Sequence, residues 1–324
     1  VFDNSDILLR WSVGSQDTTK LSEYEHNKFI DFIWLTKLSI ISFQKWFPKA
    51  QCVLLYNGNE FKKFCDMFYQ SDPKMQVNIE IINQYQKVIS GEWKNPYHFY
   101  PKGVWWKWIP FRIDINKHEI AIDTDIICIS KPITWYDWVT GDSNILVAPE
   151  RYETVSISTT GDYCNHPLLK GKTPYNCGVV GQRKGQDYTD RFFEITQDVK
   201  FGHSHNSLFI TEQGAINLWV RSLESEGVTH CCLDFTKNAW MRDFVYFLSK
   251  GISVETIHAV AWHKQIAKAL REEIEKKVID DTYTNEQFLA DVVKRSSNLD
   301  QLSKALILKQ VEGLLNSETL VQYS

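Results

Sequence analysis

The sequence predicts an α/β fold built on an open, mostly parallel sheet flanked by helices. Three observations carry this. Short β-branched runs alternate with stretches of helical apolar spacing in the amino-terminal third; the runs are apolar at consecutive positions, as strands covered on both faces require; and Asn-Gly, Pro or polar breaks separate them. Residues Ile7–Gly14 read as a buried first strand, followed by a polar loop, Ser15–Glu25, over a ligand site. Phe29, Ile33, Ile40, Phe43 and Phe47 recur at helical intervals until Pro48 stops the pattern, and Cys52–Tyr56 is a second buried strand closed by Asn57-Gly58. Strand, helix, strand implies a parallel βαβ unit. A helix over Phe61–Tyr69 and a strand over Val77–Ile82 continue the alternation, which places ligands at the carboxyl ends of the strands. A helix is expected over Trp105–Ile115, with Pro110 in its first turns or at a kink. Further strands are expected at His118–Ile129, Asn144–Ala148, Tyr175–Gly181 and Ser253–His258, and a helix N-capped by Thr211 with Glu212 in its first turn.

The 324 residues, 43% of them hydrophobic, suffice for one large core plus an appendage. A net charge of -4 and the lack of a basic block disfavour phosphate-backbone binding, so no nucleic-acid partner is expected. Seven scattered cysteines, odd in number and without a Cys-x-x-Cys pair, point to reduced thiols and a cytoplasmic setting. No apolar run reaches the roughly 20 residues of a membrane span. The chain opens on Val1 and not on methionine, which points to trimming.

The chemistry centres on Asp123 and Asp125, which interrupt the apolar run His118–Ile129. Two residues apart in a strand, they share a face and form a hard, negative site suited to Mg2+ or Mn2+; the bland alternative is a solvated turn. His258 is a candidate third ligand, with His263 as its rival, while His203 and His205 read as part of a polar loop. Trp93, Tyr97, His98, Phe99, Tyr100, Trp105, Trp106 and Trp108 crowd the segment before the acidic pair, where they either stack on sugar rings or plug the core.

Four separated stretches share their order and spacing with one family. Lys107 stands sixteen residues before Asp123; Asn176-Cys177-Gly178 opens a strand; Glu212-Gln213-Gly214-Ala215-Ile216-Asn217 starts a helix; and His258 precedes Lys264 by six. On these the chain resembles the glycogenin-like retaining glycosyltransferases, glycosyltransferase family 8, of GT-A fold, over residues 5 to 265. Ala261 stands where that family has Gly, and Glu212 where it has Asp.

The resemblance implies a GT-A glycosyltransferase domain over residues 1–264; residues 265–324 have no counterpart in it, and their lack of Pro and helical apolar spacing (Ile266, Leu270, Ile274, Val278) predict a carboxyl-terminal helical appendage. It implies Mn2+ or Mg2+ held by Asp123, Asp125 and His258. Lys107 and Lys264 would join the acidic pair around the donor diphosphate and sugar, and Asn176, Glu212 and Gln213 would act near the anomeric carbon. The donor would be a uridine diphosphate sugar, UDP-glucose or UDP-galactose, while the polarity of residues 151–206, with Tyr152, Tyr163, His166, Tyr175 and His203 among Ser, Thr, Gly and Asn, points to a saccharide or glycan as acceptor. A divalent cation neutralises the departing diphosphate in such a transfer, and a lysine ammonium adds to it. The polar segment 151–206, with a mobile loop between Thr154 and Thr173, is the expected acceptor wall, and the carboxyl-terminal helices are a candidate for peripheral membrane or partner contact. Three other readings stay open: an inverting transferase with Glu212 as base, a nucleotidyltransferase, and a non-catalytic binding protein for carbohydrate or nucleotide sugar.

Overall fold

The computed structural model describes residues 3–13, 23–58, 60–72, 74–95, 103–197, 208–241, 243–259 and 263–296. In chain order the strands are β1 (Ile7–Val13), β2 (Gln51–Tyr56), β3 (Glu80–Asn83), β4 (His118–Ile122), β5 (Ile126–Cys128), β6 (Ile145–Pro149), β7 (Tyr175–Gln182), β8 (His230–Cys232), β9 (Asn238–Trp240) and β10 (Thr256–His258). The helices are α1 (Glu23–Trp46), α2 (Phe61–Gln70), α3 (Gln84–Ile89), α4 (Ile133–Thr140), α5 (Ile157–Thr160), α6 (Thr189–Thr196), α7 (Leu208–Ser225), α8 (Phe244–Ser249), α9 (His263–Ala269), α10 (Arg271–Ile279) and α11 (Asn285–Ser296).

Seven strands form one sheet in the order β3-β2-β1-β4-β7-β6-β8. Strands β1 to β4 pair in parallel, β7 runs antiparallel to both β4 and β6, and β8 is parallel to β6. Within this sheet β7 alone therefore opposes the rest, and its start lies at the edge where β4 and β6 end. The expected open, mostly parallel sheet is the one found. A second sheet, β5-β10-β9, was not legible as a sheet because its strands are three residues each.

Helix α1 explains how the two sheets meet. Its Ile33, Ile40 and Phe43, with Phe47 just past its end, pack on β1, β2 and β4, while Trp34, Leu35 and Leu38 share a core with β5, β9, β10 and the later helices. Ser39 accepts from Trp11 Nε1 at 2.9 Å and donates to the Ile126 carbonyl, and Ser42 accepts from Cys128 N at 2.9 Å. Two buried hydroxyls thus satisfy the backbone of β5 and fix the turn that precedes it. Helices α9, α10 and α11 contribute Ile266, Ile274, Val278, Phe288 and Val292 to that same second core, joined by Leu270 at the junction of α9 and α10.

Several expectations need correction. The segment Gly103–Trp108 is a 3-10 turn and not the start of a helix to Ile115, because Pro110 lacks an amide hydrogen and biases its predecessor away from helical backbone. Trp105, Trp106 and Trp108 are buried and pack with Phe111, Phe192 and Trp219, so these three rings are core; Tyr97, His98, Phe99 and Tyr100 lie outside the described residues. Glu23–Glu25 begin α1 where a loop was expected, and the rest of that loop lies outside the described residues. The expected loop 154–173 contains α5 and a 3-10 turn, Gly161–Asn165, with Thr159, Thr160 and Leu169 buried. All seven cysteines are free thiols, and no described helix is long and apolar enough to cross a membrane.

Candidate active site

Strand β4 ends at Ile122, and Asp123-Thr124-Asp125 form a turn before β5. The acidic pair is therefore not on a strand face as expected. The turn brings both carboxylates to the same place by another route: Ile126 N donates to Asp123 O at 3.1 Å, and Asp123 N to Gly178 O at 2.8 Å. Antiparallel pairing of β5 with β10 sets His258 opposite Ile126, and Ala259 N donates to Asp125 O at 2.9 Å. His258 Nε2 consequently lies 3.2 Å from Asp125 Oδ1 and 3.8 Å from Asp123 Oδ2. One ligand atom from each of Asp123, Asp125 and His258 falls within 4.8 Å of the others.

This set fits a divalent cation. Asp125 Oδ1 is buried and accepts no well-formed hydrogen bond, the behaviour of an oxygen shaped for a metal. Two carboxylates and one imidazole suit Mn2+, with Mg2+ less favoured by the nitrogen. Lys264 Nζ sits 2.9 Å from Asp125 Oδ2. Burial pushes the Asp125 carboxyl up, but the Lys264 ammonium and the His258 ring outweigh it and hold it below the carboxylate range; reciprocally, Asp125 raises Lys264 above the ordinary lysine value. Of the other candidate ligands, the side chain of His263 is not described, and His203, His205 and Ala261 lie outside the described residues.

Behind this trio lies a buried ion pair. The 3-10 turn delivers Lys107, whose Nζ lies 2.8 Å from Asp123 Oδ1 and 3.0 Å from Glu212 Oε1 and donates to Cys177 O at 2.9 Å. Trp108 Nε1 donates to the same Glu212 oxygen at 2.7 Å. Burial would lower the Lys107 ammonium, but Asp123 and Glu212 together drive it above the usual lysine range; burial raises Glu212, and Lys107 opposes that rise. Helix α7 already runs at Leu208, so Thr211 is not its N-cap, and Glu212 is not a solvated first-turn acid: it is 1% exposed and neutralised by Lys107.

A chain of amides completes the site. Asn176, at the start of β7, accepts from Gly178 N at 2.8 Å, which turns its Nδ2 toward Glu150 Oε2 and Gln213 Oε1, each at 3.3 Å. Gln213 Nε2 donates to Glu150 Oε2 at 2.9 Å and to Thr159 O at 2.8 Å. The remainder of that helix motif serves packing. Asn217 accepts from Tyr175 N and donates to Tyr175 O, both at 2.7 Å, docking α7 on β7, and a Cβ on Gly214 would stand 2.3 Å from the Thr160 carbonyl.

Lys107, Asp123, Asp125, Asn176, Glu212, Gln213, His258 and Lys264 are all brought together. Sequence reasoning missed Glu150, and it named Trp108 only as one of a crowd of rings and not as the partner of Glu212. Glu150 had a signal: it follows β6 directly, as Asp123 follows β4, and both strands end at one edge of the sheet. Trp108 had none that separated it from its core neighbours.

No family model matches this chain, and no curated protein matches it. Among solved structures it is similar to the apo structure of WbbM, a bifunctional glycosyltransferase, at 10% identity and a TM-score of 0.52, over 89% of this chain and 51% of that one. The chain thus spans about half the length of WbbM. It is also similar to the galactosyltransferase LgtC in complex with donor and acceptor sugar analogues, at 9% identity over 92% of this chain and 99% of that one, TM-score 0.47. The glycosyltransferase GlyE of Streptococcus pneumoniae gives 11% identity over 90% of this chain and 64% of that one, TM-score 0.45. The likeness to WbbM shows the fold, which is of the expected GT-A class.

Proposed function

We propose that this protein is a metal-dependent retaining glycosyltransferase that moves a sugar from a nucleoside diphosphate donor to a saccharide or glycan acceptor. The observation that carries the reading is the juxtaposition of the Asp123, Asp125 and His258 trio with the buried Lys107–Glu212 pair and the Asn176–Gln213–Glu150 amide chain. Asp123, Asp125 and His258 would hold Mn2+, or Mg2+, which supplies a Lewis acid for the oxygens of the donor diphosphate. Lys264, half-exposed beside Asp125, adds a positive charge for the departing diphosphate. Lys107, fixed from behind by Glu212, keeps Asp123 oriented and presents a cation beside it. Asn176 and Gln213 offer amides to the sugar hydroxyls, oriented by Glu150.

The burial of Glu212 and its double attachment to Lys107 and Trp108 weigh against an inverting reaction with Glu212 as base, because a base must reach the acceptor hydroxyl. UDP-glucose or UDP-galactose as donor, membership of glycosyltransferase family 8, and a reducing cytoplasmic location are proposed on the sequence resemblance and the free thiols. An acceptor wall within residues 151–206 is proposed on the polarity of that segment, a domain boundary at residue 264 on the extent of the resemblance, and peripheral membrane or partner contact on Lys264, Lys268, Lys276 and Lys277 in and beside the appendage. Incubation with UDP-glucose and UDP-galactose tests the reading: Mn2+ should support slow donor hydrolysis, and Asp125→Ala should abolish it while the protein stays folded by circular dichroism. Hydrolysis that survives excess chelator, or survives in that variant, would sink it.

A further inference from the structure

Each aspartate of the candidate metal set is held by a lysine, and the two lysines are built differently. The Lys107 side chain is 9% exposed, and its ammonium meets Asp123 Oδ1, Glu212 Oε1 and the Cys177 carbonyl, a partner for every donor it has. The Lys264 side chain is 45% exposed, and among the described residues its ammonium bonds only Asp125 Oδ2, at 2.9 Å. Its backbone is nonetheless anchored. Helix α9 buries Ile266 and Ala267 in the second core, and Lys268 ties it to Asp31 of α1 at 2.6 Å. Lys264 can therefore swing on its flexible stem while its point of attachment stays fixed.

Asp125 does not depend on Lys264 for its orientation. Its carbonyl accepts from Ala259 N at 2.9 Å, and its Oδ1 faces His258 Nε2 at 3.2 Å. What Lys264 brings is charge. Asp123, Asp125 and Glu212 stand against the ammoniums of Lys107 and Lys264, so with His258 neutral, as a metal ligand must be, the cluster keeps a single net negative charge. A bare divalent cation overshoots that balance and meets a like charge on the carboxylate it needs. A divalent cation arriving with a diphosphate does not, because the diphosphate cancels the excess and offers Lys264 a new partner.

We propose that Lys264 makes this site selective for a metal–diphosphate complex over the bare ion: paired with Asp125 it opposes free Mn2+, and released from Asp125 it serves the diphosphate. The proposal rests on the glycosyltransferase reading and extends it to the dependence of metal and donor on each other. A lysine that only oriented Asp125 would give the opposite sign on removal, since the metal would then lose a well-placed ligand.

The probe is Mn2+, titrated into the full chain and read by the electron paramagnetic resonance of the free ion, first alone and then with saturating UDP. Lys264→Met should bind Mn2+ alone about five- to twentyfold more tightly than the wild type, a range set by the screening of a half-exposed charge. The gain in Mn2+ affinity that UDP brings should shrink at least fivefold in the same variant. Lys264→Arg, which keeps the charge, should match the wild type in both titrations. Donor-free Mn2+ affinity that falls or stays level in Lys264→Met would overturn the proposal, as would a Lys264→Arg protein that follows Lys264→Met. Failure of the underlying reading shows separately, as wild-type protein that binds Mn2+ but no UDP at any Mn2+ concentration.

Discussion

Replacing Gly178 by alanine probes the candidate metal centre without removing any of its ligands. A Cβ at that position would lie 2.7 Å from His258 Cε1, 2.8 Å from Asn176 Oδ1 and 3.1 Å from Ile126 Cδ1. Gly178 is not among the glycines with positive φ, so alanine brings no backbone strain there and acts only by crowding. Ordinary contact begins at 3.4 Å, so the imidazole must retreat by about 0.7 Å. Metal–ligand distances tolerate shifts of only about 0.2 Å, and mispositioned ligands lower affinity about ten- to hundredfold. Overpacking itself should cost about 1–3 kcal/mol of stability. The assay is an Mn2+ titration followed by the electron paramagnetic resonance of the free ion, beside urea unfolding of the same protein. Gly185→Ala is the control: its φ is +79° and nothing lies within 4 Å, so it should lose about 1–2 kcal/mol through strain with Mn2+ affinity unchanged. Wild-type Mn2+ affinity in a destabilised Gly178→Ala protein would refute the placement of His258 in the metal set.

Lys107→Met leaves Glu212 buried without its cation and should cost about 3–5 kcal/mol in urea unfolding, while Lys107→Met with Glu212→Gln should recover much of that stability and none of the donor hydrolysis. Full recovery of turnover would remove Lys107 from the site. Lys264→Ala, at a half-exposed side chain, should leave stability nearly intact and lower donor hydrolysis about ten- to hundredfold through loss of one charge-assisted contact. Asp243 is raised from 3.8 to about 6 by burial, opposed by Arg151 at 3.5 Å, so its contribution to stability is full below pH 4 and lost as pH rises to 6. Relative to Asp243→Asn, the wild type should lose at most about 3 kcal/mol across that window in pH-dependent unfolding; parallel curves would disprove the shift.

The strands were legible where the chain is apolar at consecutive positions, because β1, β2, β4, β6 and β7 are buried on both faces. The small sheet was not, since three-residue strands such as Asn238–Trp240 carry no period. The site residues could be named from spacing, yet their roles needed contacts. Glu212 reads in sequence as a solvated acid at a helix start, and only the approach of Lys107 and Trp108 across more than a hundred residues shows it buried and paired. Asp123 and Asp125 were placed together for the wrong local reason, a strand face, when a turn held by Gly178 O does the same work. Glu150 shows that an acid directly after a buried strand should be weighed even when no spacing motif includes it.

Calorimetric titration of UDP with and without Mn2+, on the wild type and on Asp125→Asn, tests the metal-dependent donor site most directly. The account predicts that Mn2+ tightens UDP binding at least tenfold in the wild type, and that this gain vanishes in the variant while its metal-free affinity is unchanged. UDP affinity indifferent to Mn2+ in the wild type, or an equal gain in Asp125→Asn, would contradict it.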